Sequence, residues 1–173
     1  SHRPGRNLIH VSHSFTHKRA RSSLPSRMTS ATPTSAAAAS STVHRVLVRP
    51  KAGRDDPRGR SVVHAAKAAG IPLAACHTAQ IYLIEGAISA ADLAKITSDI
   101  LVDPVTQAPG VDPLAEAGCS IVEVHPLPGV MDPAAQSVRD AIRVLIGEDA
   151  AVSTGVRYAL QGVDSSQAAE VAR

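Results

Sequence analysis

Shifting the chain by 76 positions lays residues 43–97 over residues 119–173 without a gap. Val46, Val48, Pro50, Gly53, Asp56 and Pro57 then meet Val122, Val124, Pro126, Gly129, Asp132 and Pro133. Ser61, Val62 and Ala65 meet Ser137, Val138 and Ala141. Further on, Ala74, Ala75, Thr78, Tyr82, Gly86 and Ser89 meet Ala150, Ala151, Thr154, Tyr158, Gly162 and Ser165. These are 15 identities in 55 pairs. An alanine-rich chain produces some of them by accident, but accident does not hold the turn residues, both tyrosines and both later glycines in one register. One structural unit is present twice, and this restricts the fold to two like halves.

Each copy has the same local grammar. "VHRVLVRP" and "CSIVEVHP" alternate like half-buried strands and stop at a proline. A turn containing Gly53 or Gly129 follows. Asp56 and Asp132 are placed to cap a helix, with Pro57 and Pro133 at the first helical position, where the missing N–H costs nothing. The apolar stripe of that helix is expected at Val62, Ala65, Ala66 and Ala69 in the first copy, and at Val138, Ala141, Ile142 and Leu145 in the second. Gly70 and Gly147 are placed to end the helices. A second strand, "AQIYLIEG" or "GVRYALQG", comes next. Ser89 and Asp92 have capping-box spacing for a second helix, with Leu93, Ile96 and Ile100 spaced for burial. "DPVTQ" at 103–107 reads as a turn into a third strand.

The β-α-β-α-β order predicts an α+β fold of two tandem ferredoxin-like units. Each would have an antiparallel sheet with its helices on one face. The units would pack sheet to sheet or side by side about a pseudo-twofold axis. Residues 43–118 form the first unit and 119–173 the second. The second is expected to be truncated, because residues 98–118, third strand included, have no counterpart in it. The bare sheet edge this leaves would be a template for unwanted pairing.

Residues 1–42 hold six Lys or Arg and no acidic residue, whereas residues 43–173 hold twelve basic and fifteen acidic ones. The leader is rich in Ser, Ala, Thr, Pro and Arg without helical or strand period, and is expected to be disordered. It has the composition of an organelle transit peptide; the plainer reading is that Met28 is the natural start and residues 1–27 do not belong to the protein. The acidic balance of the rest gives nucleic-acid binding no electrostatic support. With aromatics at 2%, base-stacking platforms are also close to excluded. No apolar run approaches the ~20 residues of a membrane helix. Cys76 and Cys119 have neither redox nor metal-ligand spacing and read as two reduced thiols.

Four histidines (His2, His10, His13, His17) lie in the leader; His44, His64, His77 and His125 fall on separate elements with no i, i+4 pair, so no metal site is assigned. Asp56 and Asp132 have the look of paired carboxylates, but a position before proline makes them caps first. Tyr82 and Tyr158 read as packing residues with a hydroxyl at the rim. Arg45, Arg49 and Arg54 read as a solvated strand edge and turn, with a phosphate-bearing substrate at a domain junction as the alternative. There is no G-x-x-x-x-G-K-[ST] phosphate loop, and neither cysteine has an activating histidine context. No catalytic, cofactor-binding or metal residue is therefore assigned.

Three stretches carry a resemblance: "DPRGRSVVHAAKAAG", "IYLIEGAISAADLAKITSDILVDPV" and, most specific, "VEVHPLPGVMDPAAQSVRDAI". They resemble the small accessory subunit of phosphoribosylformylglycinamidine synthase, and the equivalent duplicated N-terminal region of fused forms of that ligase. The likeness covers about residues 43–173. It implies a non-catalytic platform that bridges synthetase and glutaminase domains and helps shelter ammonia in purine biosynthesis. It further implies a cytoplasmic location (an organelle if the leader is a transit peptide). ATP, Mg and glutamine would serve the complete enzyme, with no cofactor in this chain. A freestanding ferredoxin-like regulatory module that binds a small molecule is the alternative.

Overall fold

The structure, a computed structural model, describes residues 8–10, 42–110 and 118–172. Its strands are β1 (Leu8–His10), β2 (Thr42–Pro50), β3 (Ala75–Gly86), β4 (Gln107–Gly110), β5 (Cys119–His125) and β6 (Ala151–Gln161). Its helices are α1 (Pro57–Ala68), α2 (Ala90–Ile96), α3 (Pro133–Ile146) and α4 (Ser165–Val171), with a π-helical turn, Thr97–Leu101, following α2. The described strands make one sheet in the order β1-β5-β6-β3-β2-β4, with neighbours antiparallel throughout. The fold is α+β, as the sequence predicts.

The two copies meet through β3 and β6 at the centre of the sheet. Gln80 pairs with Val156, its own counterpart in the repeat. On either side Thr78 pairs with Tyr158 and Tyr82 with Thr154, so each pairing is the other's image under the repeat. The outer ladders obey the same rule, with Val46 opposite Tyr82 and Val122 opposite Tyr158. Of the two arrangements open from sequence, the side-by-side one is observed. It is self-complementary, as an isologous contact must be.

The helix ends follow from local chemistry. Asp56 accepts from Gly59 N–H at 2.9 Å, and Asp132 from Ala135 N–H at 2.9 Å, each ahead of a proline. Gly147 closes α3 at φ 76°, a left-handed value that suits glycine. α1 closes on Ala69, and Gly70 follows with positive φ. The expected capping box at Ser89 is half formed: the hydroxyl accepts from Asp92 N–H at 3.1 Å, but the Asp92 carboxylate turns onto that hydroxyl at 2.6 Å. The complete box lies at Asp164 and Gln167, one residue before the counterpart of Ser89.

Alternation assigns the sheet faces. Val46, Val48 and Ile84 join Ile88, Ile96, Leu101, Ile142 and Ala150 in one buried cluster. Val122, Leu160, Val163 and Ala168 join Ala66, Ile71, Leu73 and Cys76 in a second. Ile142 belongs to the second copy and Ala66 to the first, so both clusters draw on both copies. Burial corrects three positions of the expected stripes. Ala65 and Ala69 are exposed, and Val63 packs instead. Leu145 is 39% exposed, and Ile146 takes its place against the core. Both residues flank Ile142 on the helical wheel, at three and four positions onward. In the second helix of the first copy the π turn adds a residue, so Leu101 is buried five positions after Ile96, with Ile100 packed beside it.

Most of 1–42 lies outside the described residues. Within it, where no strand period is visible, Leu8–His10 forms β1 on the free edge of β5. Its register is informative. Ile9 pairs with Val124 as Pro109 of β4 pairs with Val48, the repeat counterpart of Val124. β1 thus holds, in the same direction and register, the place on β5 that the first copy's third strand holds on β2. Deleting residues 1–41 is therefore expected to bare this edge and give concentration-dependent self-association in light scattering. A deletion variant that stays as monodisperse as the full chain would show that β1 protects nothing.

Candidate functional site

The residues identical in both copies converge on the junction. Thr78 is buried and gives its N–H to Asp56 Oδ2 at 2.8 Å and its hydroxyl to Oδ1 at 2.9 Å. Thr154, also buried, gives N–H and hydroxyl to Asp132 Oδ2 at 3.0 and 2.9 Å. Each aspartate therefore caps its helix and staples that helix to the central strand 22 residues on. The cross-strand neighbour of each threonine is the other copy's tyrosine. Burial pushes the Tyr82 hydroxyl up, and the charge of Asp132 adds to this. For Asp132 burial alone would raise the carboxyl. Hydrogen bonds from Ala135 N–H and from the hydroxyl and N–H of Thr154 outweigh it and hold the group below the usual carboxylate range. The caps assigned from sequence are observed, and their threonine partners were missed. The one visible signal was Thr78 and Thr154 standing in the same register as the aspartates.

At the first β–α turn an open cleft of about 700 Å³ is lined by Arg49, Lys51, Gly53, Arg54, Asp56 and His77. Lys51 is tied through its ammonium to the Pro104 carbonyl, and its backbone N–H reaches Thr106 O at 3.0 Å, so the turn is braced by the segment leading into β4. Arg49 and Arg54 are brought together here, as their sequence spacing allows. Arg45 is not. It lies on the sheet face away from the two cores and reaches over β3 and β6 to Glu123 on β5, with Nη1 3.3 Å from Oε2.

That opposite face carries a charged cluster. Arg157, 7% exposed, pairs across the ladder with Glu123. The His125 ring lies against Gly155, where an added Cβ would collide with it; its Nδ1 is 3.3 Å from Thr154 O and its Nε2 3.6 Å from Glu123 Oε2. Burial alone would raise the Glu123 carboxyl. The hydrogen bond and charge of Arg45, with His125 and the Arg157 charge, hold it below the usual range. Together these contacts lock the outer strands of the two copies to each other.

The other singled-out residues are dispersed. His64 and His77 are exposed on α1 and β3, and the ring Nε2 of His44 is buried without a hydrogen-bond partner. No group of three metal-ligating side chains is present among the described residues. Cys76 is buried, and desolvation, then the charges of Asp56 and Cys119, push its thiol up to about 12, which makes it a poor nucleophile. No helix of the described residues is long and apolar enough to cross a membrane.

Comparison with family models, with curated proteins and with solved structures gives no match for this chain.

Proposed function

We propose that the chain is an accessory scaffold region of a phosphoribosylformylglycinamidine synthase, built from two tandem ferredoxin-like units, a βαβαβ unit and a second one with no third strand of its own among the described residues. In this reading it bridges the synthetase and the glutaminase and helps shelter ammonia between them, in the cytoplasm. ATP, Mg and glutamine serve the complete enzyme and are not bound by this chain. The observation that carries the reading is the Asp-Pro-led repeat. Its identical residues are spent on holding two copies in one sheet, with each carboxylate consumed by backbone and threonine donors. The motif "PGVMDPAAQSV" supplies the family.

The test is reconstitution with a synthetase and a glutaminase of the family that lack an accessory region. The chain should form a complex with them and restore glutamine-dependent turnover, with a smaller effect when ammonium replaces glutamine. By itself it should neither cleave ATP nor release ammonia from glutamine. A chain that neither binds nor changes the ratio of the two activities would sink the proposal. The second reading, a regulatory small-molecule module, draws on an apolar cleft of about 640 Å³ beside the π turn, lined by Leu93, Ala94, Thr97, Val102 and Pro109. Metabolite-induced shifts in melting temperature, abolished by Ala94→Trp, would favour it.

A further inference from the structure

The two copies share a backbone plan but not a charge pattern. The turn cleft adjoins a second cleft, of about 640 Å³, between α1 and the start of β3; they share Arg54, Asp56 and His77. Arg49, Lys51, Arg54, Arg60 and Lys67 line the combined groove. Their counterparts in the second copy are His125, Leu127, Val130, Gln136 and Arg143. Arg49, Arg54 and Arg60 are thus dispensable to the fold, since the second copy makes the same strand, turn and capped helix without them, whereas Lys51 also braces its turn through the Pro104 carbonyl. All five are exposed. Arg60 has only an exposed pair with Asp55, at 2.8 Å, and Arg49 and Arg54 have no carboxylate partner among the described residues. Exposed pairs of this kind add little stability, so the clustering is not explained by folding.

The floor of the groove selects the ligand. The Asp56 carboxylate sits where a small anion would have to approach the first turn of α1, and Gly59 N–H is already given to it. A compact phosphate is therefore badly served here. The cations are instead spread over two adjoining clefts, Arg49, Lys51 and Arg54 at the turn and Arg60 and Lys67 along α1, the last two about 10 Å apart by helical rise, which suits an extended chain better than a compact anion. No Phe, Tyr or Trp lines either cleft, and the aromatic rings present are the smaller ones of His64 and His77, so a single-stranded nucleic acid finds no broad stacking platform. We propose that this groove docks an extended acidic polypeptide segment of a protein partner. The inference goes beyond the scaffold reading and holds whether or not that reading does.

Fluorescent poly-L-glutamate titrated with the full chain at low salt, followed by anisotropy, tests it. The expected result is saturable binding that weakens with salt and falls at least about tenfold in R49E/R54E/R60E. R19E/R21E/R27E, which reverses three of the leader's six cations, is expected to bind within about twofold of the parent. The neutral R49Q/R54Q variant, with an unchanged circular-dichroism melt, should fall between parent and triple reversal. The proposal is overturned if the groove reversal leaves binding unaltered or the leader reversal abolishes it. It is equally overturned if a single-stranded oligonucleotide or ATP binds the groove more tightly than the acidic polypeptide.

Discussion

Ile142→Ala is expected to lower the free energy of unfolding by about 2–5 kcal/mol, and Leu145→Ala, one turn on, by less than about 1 kcal/mol. Ile142 is wholly buried, whereas Leu145 is 39% exposed. The neighbours of Ile142 are Val46 and Val48 of β2, Ile84 of β3, and Ile88, Ile96 and Leu101 around the second helix of the first copy. None of them is polar, so the vacated volume offers water no hydrogen-bond partners and stays an empty defect. The lost contacts also join the two copies: α3 helps to bury Val46, Val48 and Ile84, which precede Ile142 by more than fifty residues. The loss should therefore appear as one cooperative transition shifted to lower urea, not as early melting of the second copy alone. Urea denaturation of both variants, followed by circular dichroism, checks this. Equal losses for the two substitutions would mean that α3 is rotated from the position described.

The contrast between these neighbours shows where sequence reasoning stops. Local features were legible: the strands that stop at a proline, the Asp-Pro starts of α1 and α3, and the left-handed Gly147 each depend on a few consecutive residues. The repeat register was legible too, and it carried the side-by-side pairing once the ladder was seen. The flank that α3 presents was not. Ile142 fixes the centre of the stripe, but positions three and four onward lie on opposite flanks, and only the tilt against β2 and β3 chooses Ile146. Which cluster each helix helps to bury is a tertiary choice with no local signature. The same holds for Arg45, which lay in a run of apparent surface arginines and whose partner is 78 residues away.

The site divides the same way. Asp56 and Asp132 were found as caps because capping is a local rule; their grip on Thr78 and Thr154 needed the strand to pass beside the helix start. At equal backbone geometry the two turns then diverge in chemistry, basic at Arg49, Lys51 and Arg54, apolar at Leu127 and Val130. The two copies share a backbone plan, and exposed positions that it does not use, such as Arg49 and Arg54, are free to differ between them. That is why the asymmetric positions, and not the identical ones, are where partner recognition is to be sought.

Asp132→Ala is expected to cost about 1.5–5 kcal/mol, the sum of two physically distinct losses. The first is the helix cap on Ala135 N–H, about 0.5–2 kcal/mol. The second is the Thr154 N–H, left without its carboxylate acceptor at a buried position, about 1–3 kcal/mol. Thr154→Val removes only the hydroxyl's bond and should cost less than the aspartate change. The same carboxylate sets an acid limit. Its folded pKa lies below the ordinary value, so between the folded and unfolded values the unfolded chain binds more protons than the folded one. The contribution is therefore whole at neutral pH, begins to fall as the pH drops to about 4, and is gone once the pH is below the folded value. Parent and Asp132→Ala should accordingly differ most at neutral pH and converge in acid, when melting temperatures are compared down a pH series. A gap that stays constant from neutral pH to about pH 2 would show that the ionised carboxylate contributes nothing beyond its shape. A neutral-pH loss under about 0.5 kcal/mol would remove the staple from the account of how the two copies are joined.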